Sequence, residues 1–144
     1  MPISYTIVPA SRLVYSSAWG VLTDAMLRDL GQALRGDSRF DPSYALLADF
    51  CPRTEMQLTA QGVASTASQS AFDCDARQAL VGPTDVLFGL CRMYQIRRDQ
   101  VGASEVRVFR AREPAVAWLG LRPEEWTAIA ARPPDHTFGE EVPA

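Results

Sequence analysis

The sequence predicts an α/β domain with a mixed, mostly parallel sheet, and three observations predict it. Two β-rich stretches, Ile3 to Val8 and Leu13 to about Trp19, are separated by the breaker Pro9-Ala10-Ser11 and read as an N-terminal hairpin. Beyond the hairpin, short apolar runs alternate with helical periodicity, an order that calls for parallel strands joined by right-handed crossovers under helical cover. The run Tyr44-Ala45-Leu46-Leu47-Ala48-Asp49 is apolar on both of its faces, as expected of a central strand covered from each side. At 144 residues the chain has the usual length of one domain.

Each element has a local reason. Thr23 is an N-cap with Asp24 in the first turn, and Met26, Leu27, Leu30 and Leu34 recur at helical spacing up to a stop at Gly36. Turn residues from Asp37 to Pro42 lead into the central strand, which Pro52 ends. Thr59 caps a second helix running to about Ser70 through Val63, Ala64 and Ala67. Its Ala, Ser and Gln content means that its neighbour sits close or that it packs lightly. Gln78 to Gly82 forms a third strand, and Pro83-Thr84-Asp85 opens a third helix with Val86, Leu87, Leu90, Met93, Tyr94 and Ile96 on a broad apolar face. Arg97 and Arg98 suit that helix's C-terminus. Glu105 to Phe109 alternates like a final strand, Glu113 to Leu119 is a short helix stopped by Gly120, and Pro123-Glu124-Glu125-Trp126 starts a last turn or helix. The expected architecture is a five-stranded sheet with four to five helices in residues 1–132, followed by a mobile tail over 133–144.

Composition narrows the function. A charge of -3 and a pI near 5.1 argue against nucleic acid as a partner, because such binders need a basic stripe to displace counterions. All 14 basic residues are arginine, so Schiff-base chemistry and a phosphate-loop lysine are excluded. The one histidine, His136, lies in a Pro-rich stretch, and a nucleophilic triad would require that stretch to fold back into a pocket. Cys51, Cys74 and Cys91 make no CxxC pair and read as reduced thiols, not as a disulfide framework or zinc site. No metal-ligand spacing is present, and no cofactor is expected. The longest apolar runs fall well short of the ~20 residues of a spanning helix, and no export signal precedes them, so the expected location is the cytosol. Absent Lys and Asn beside abundant Ala, Arg and Leu point to a GC-rich bacterial origin.

Three stretches together carry a resemblance: Leu47-Ala48-Asp49; Phe88-Gly89-Leu90-Cys91-Arg92-Met93-Tyr94; and Glu105-Val106-Arg107-Val108-Phe109-Arg110 with Ala117-Trp118-Leu119. They resemble the uncharacterised bacterial proteins of SpoIIAA-like fold, labelled STAS-like or CRAL-TRIO-like, over roughly residues 3 to 121. The resemblance implies a mixed sheet whose first strand is antiparallel. Its studied relatives are anti-sigma-factor antagonists switched by phosphorylation at an Asp-Ser-Ser/Thr-Gly motif. Here the corresponding junction reads Asp49-Phe50-Cys51-Pro52-Arg53-Thr54-Glu55-Met56, with the Asp but without the adjacent hydroxyls and the glycine, so the switch does not carry over.

The candidate binding residues are Asp49, Arg53 and Thr54, at the strand edge where open α/β sheets hold ligands, and Phe88 and Arg92 on the third helix. The plainer reading of Asp49 is a turn carboxylate paired with Arg53. Arg92, Arg97 and Arg98 form either an anion patch or a solvated helix end, and Cys91 reads as a small core residue without a base. Phe88, Met93 and Trp126 form either core or an apolar partner patch. No catalytic residue is assigned. The expected function is a non-catalytic binding or regulatory module for an unknown protein or small ligand, with a homodimer compatible with it. One alternative is a carrier of a small apolar or lipid-like ligand, with space under Gly62, Ala64 and Ala67. A further alternative is an enzyme using Asp49 or Asp85.

Overall fold

The computed structural model describes residues 3–103 and 105–138. Strand β1 (Ile3–Val8) turns through a 3-10 segment at Pro9–Ser11, with Arg12 left-handed at φ 50°, into β2 (Leu13–Ala18). There follow β3 (Val21–Thr23), α1 (Asp24–Gly36), β4 (Ala45–Phe50), β5 (Glu55–Gln57) and α2 (Ala60–Ser68). The chain continues with β6 (Gln78–Val81), α3 (Asp85–Gln100), β7 (Val106–Phe109), α4 (Arg112–Trp118), α5 (Pro123–Ala130) and β8 (His136–Phe138). The main sheet has the order β7-β6-β4-β2-β1-β8, parallel from β7 to β2 and antiparallel across β1 and β8. The α/β class, the N-terminal hairpin and the parallel-biased sheet are those that the sequence predicts.

Three strands exceed that expectation. β3 and β5 pair in parallel as a separate ribbon beside the main sheet. Three residues are too few to display an alternation, so such strands are recognised only by their partners. β8 comes from the segment read as a tail, and it is held by hydrogen bonds: Asp135 N–H donates to Tyr5 O (3.0 Å), and Ile7 N–H donates to Asp135 Oδ2 (2.8 Å). Residues 139–144 of that tail lie outside the described residues.

Because side chains alternate along a strand, each parallel strand feeds two cores. Val14, Leu46, Ala48, Leu80 and Val106 point toward α1, α2 and α3. Leu13, Leu47, Ala79 and Val81 point toward α4 and α5, where Ala115, Val116 and Ile129 meet them. Double-sided burial explains why β4 and β6 read as continuous apolar runs. Gly82 lets α3 start directly against β6, since a Cβ there would stand 2.7 Å from the Phe88 backbone nitrogen.

Candidate functional site

On the first of these faces, α1 and α2 are held by their ends. The Thr23 and Thr59 hydroxyls accept from Met26 N–H (3.4 Å) and Gly62 N–H (2.8 Å), capping the two helices. The Asp24 carboxylate then ties them together, accepting from Thr59 N–H (3.2 Å) and from the Thr59 hydroxyl (2.8 Å). Gly62 makes the approach feasible, because a Cβ there would fall 2.0 Å from Asp24 Oδ1. At the other end of α2, the buried Arg98 donates to Ala67 O in the last turn (3.1 Å) and to Phe72 O (3.4 Å) and Asp73 O (3.3 Å) in the loop that follows, supplying a partner for one carbonyl that the helix leaves open and tying the loop beside it. The far end of α1 is fastened through Asp37, which accepts from the Tyr5 hydroxyl (3.1 Å) and from Arg39 Nη2 (2.8 Å). Arg39 holds the Asp37 carboxyl down to about 2, while burial and the Asp37 contact push the Tyr5 phenol up to about 12.

Between these fastenings lies a half-open cavity of about 460 Å³, bounded by the sheet and the three helices. That volume falls within the ~300–1,000 Å³ typical of small-molecule sites. Val14, Ser16, Ala48 and Leu80 form its floor, and Leu27, Leu30, Val63 and Tyr94 its walls. The interior is mainly apolar. Its mouth is polar, with exposed Arg28, Gln32 and Arg35 from α1 facing exposed Gln61, Ser65 and Gln69 from α2. Among the described residues no carboxylate pairs with Arg28 or Arg35. The Cys91 thiol on the wall is pushed up to about 12 by burial, which leaves it protonated and unreactive at neutral pH. Burial also raises Tyr94, whose hydroxyl donates to Gln78 Oε1 at 2.5 Å.

A second concavity, an open groove of about 520 Å³, lies at the carboxyl ends of β2, β4, β6 and β7. Asp49 stands in it beside Tyr15, Ser17 and Trp19. Its partner is Arg112, donating at 3.1 Å, with the Tyr15 hydroxyl at 3.4 Å; Arg53 is not paired with it. Burial raises the Tyr15 phenol first, and the Asp49 charge second.

The five candidate residues are not brought together. Only Asp49 lines the groove. Arg53 is exposed on the loop, and Thr54 is buried with its hydroxyl donating to Ala18 O at 2.9 Å. Phe88 lies under the Arg110 guanidinium, 4.2 Å from the ring centroid, and Arg110 is itself paired with Asp85 at 2.8 Å. Arg92 bonds Gln95 on the outer surface of α3. Arg98, read as part of a surface patch, is buried beneath α2. His136 stacks on Tyr5 and Phe138 at the sheet edge, with ring centroids 5.9 and 4.3 Å away.

The expected space under α2 is present, though its lining differs: Gly62 borders the cavity, whereas Ala64 and Ala67 do not. The residues that sequence reasoning missed are Arg28, Gln32 and Arg35. Their spacing of four and three places them on one ridge of α1 beside the Leu27 and Leu30 stripe, which is the signal that could have found them.

No family model, curated protein or solved structure matches the chain. Among the described residues, no group of three His, Cys, Asp or Glu side chains converges to hold a metal, and no helix is long and apolar enough to cross a membrane.

Proposed function

We propose that this chain is a non-catalytic binding module whose cavity takes a slender apolar molecule and whose arginine rim takes that molecule's acidic head. The observation that carries the reading is the cavity of about 460 Å³ between α1, α2, α3 and the sheet. An apolar tail would be driven in by the surface it removes from water, at roughly 25 cal/mol per Å² before ordering costs. Arg28 and Arg35 favour a carboxylate or phosphate at the mouth, since a guanidinium offers paired donors to either. The protonated Cys91 and the absent lysine support binding over turnover.

The resemblance to SpoIIAA-like proteins, some of them labelled CRAL-TRIO-like, belongs to this reading, as does a bacterial cytosolic setting. A phosphorylation switch does not belong to it, because Thr54 is buried and Thr59 holds the α1–α2 clasp.

The test is displacement of a fluorescent long-chain carboxylic acid by an unlabelled acid, alcohol and ammonium of equal chain length. Acid and alcohol should both compete, the acid about tenfold better, as one charge-assisted contact worth ~1.4 kcal/mol would give. Ala48→Phe, which places a ring in the cavity floor, should abolish binding while keeping stability within about 1 kcal/mol of wild type. Failure of every long-chain compound to bind, or undiminished binding by Ala48→Phe, would sink the proposal.

A further inference from the structure

The outer face of α3 is apolar where a solvent-facing helix is ordinarily polar. Among the described residues, the large apolar side chains left most exposed are Val86 at 70%, Ile96 at 49%, Val101 at 45%, Val21 at 40% and Met93 at 37%. Three of them, Val86, Met93 and Ile96, lie on one stripe of α3. At 100° per residue, these three and Gly89 fall within about 40° of the direction opposite Cys91. Leu87, Cys91 and Arg98 are buried on the inner side, so the stripe is not the edge of the domain's own core. Apolar residues gathered on an exposed face mark an interaction surface.

The stripe is complementary to itself. Counting from position 91, Gly89 and Met93 lie two residues away on either side, Val86 and Ile96 five, and Asp85 and Arg97 six. A two-fold axis perpendicular to α3 at that level sets Val86 of one copy on Ile96 of the other. The same axis brings Met93 over Gly89 and Asp85 beside Arg97, with each contact made twice, as an isologous interface requires. Shape agrees: a Cβ built on Gly89 has nothing within 4 Å, so the position is an open notch for the flexible Met93 side chain. Charge agrees as well. Asp85 has 95% of its side chain exposed and offers only one oxygen to Arg110, while Arg97 reaches only Gln100, at 3.4 Å.

We infer that α3 is a self-association surface, pairing antiparallel with α3 of a second copy of this chain. Its 16 residues span roughly 24 Å, which places the contact at the small end of specific interfaces, below about 800 Å² per partner. Contacts of that size are weak and transient, so the expected association is a reversible monomer–dimer equilibrium.

Sedimentation equilibrium of the full chain, from about 1 µM to about 1 mM, tests the inference over that range. The wild type should show a monomer–dimer equilibrium, and Ile96→Glu should remain monomeric with an unchanged melting temperature at low concentration. Gly89→Leu improves helix propensity and fills the notch, so it should stabilise the monomer while weakening the dimer more than about tenfold. Arg97→Asp should weaken it about fivefold to tenfold, and Asp85→Arg combined with Arg97→Asp should restore it, because the double change swaps the pair intact. A wild type that is monomeric at 1 mM overturns the surface. A dimer indifferent to Ile96→Glu and Gly89→Leu overturns its assignment to α3, and equal association by the single and double charge variants overturns the antiparallel register.

Discussion

On one side of the sheet, α1, α2 and α3 leave a cavity of about 460 Å³; on the other, α4 packs on β4, β6 and β7, and α5 meets β2 through Trp126. The second face is closed by large rings. Trp126 meets Tyr15 edge-on with centroids 5.1 Å apart, Trp118 meets Phe109 at 5.9 Å, and Arg77 and Arg112 cover the two indoles at 5.2 and 5.4 Å. The first face is held by polar fastenings at helix ends: Asp24 on Thr59, Asp37 on Tyr5 and Arg39, and Arg98 on the Ala67 carbonyl and the loop after α2. A helix fixed at its ends by hydrogen bonds can stand off a sheet, because its middle need not supply the attraction. A short helix fixed by its side chains must fill the space beneath it.

The largest effect should come from removing a fastening. Arg98→Ala strips the α2 C-terminus of one hydrogen bond and the loop after it of two, all from a charged donor, and should cost about 3 kcal/mol, lowering the melting temperature by about 10 °C. Urea denaturation measures it. Arg98→Lys should recover only part, since an ammonium lacks the guanidinium's spread of donors. A loss below about 0.5 kcal/mol for Arg98→Ala would mean that side-chain packing, not end fixation, holds α2.

The same enlargement should act differently on the two faces. Ala79 and Ala48 sit on neighbouring strands and point to opposite sides of the sheet. Ala79→Phe forces a ring into a filled core and should destabilise by about 2 kcal/mol, whereas Ala48→Phe enters the cavity and should stay within about 1 kcal/mol of wild type. Equal penalties would mean that the cavity does not accept volume.

The smallest effect is electrostatic. Because Arg39 lowers the Asp37 carboxyl from near 4 to about 2, its ionised form stabilises the fold above the ordinary carboxylate range. That contribution is lost as pH falls from about 4 toward 2. The stability difference between wild type and Asp37→Asn should therefore be constant above about pH 5 and shrink below pH 4, as followed by denaturation at stepped pH. A difference independent of pH would detach the α1 fastening from this ion pair.

Much of the fold was legible because its signals are local. Thr23, Thr59 and Thr84 each accept the N–H three residues on, and short-range hydrogen bonding suffices to recognise such caps. The double-sided apolar run of β4 likewise reported its own burial. The candidate site was legible in part. Asp49 lies at the strand end where it was expected, but its partner, Arg112, comes from 63 residues away, and a neighbouring Arg53 could not reveal that. The thin side chains of α2 coincide with a cavity they mostly do not line, since Ala64 and Ala67 do not border it and Asp24 takes the room beside Gly62.

By itself, then, the sequence determined the order of the longer strands and the helices, the threonine caps of α1, α2 and α3, and the apolar faces that had to be covered. Only the tertiary structure decided that Arg98 would turn inward, that β8 would complete the sheet, and that α1 and α2 would close over a void. Those outcomes depend on pairings between segments distant along the chain, whose energies arise only when folding brings them together.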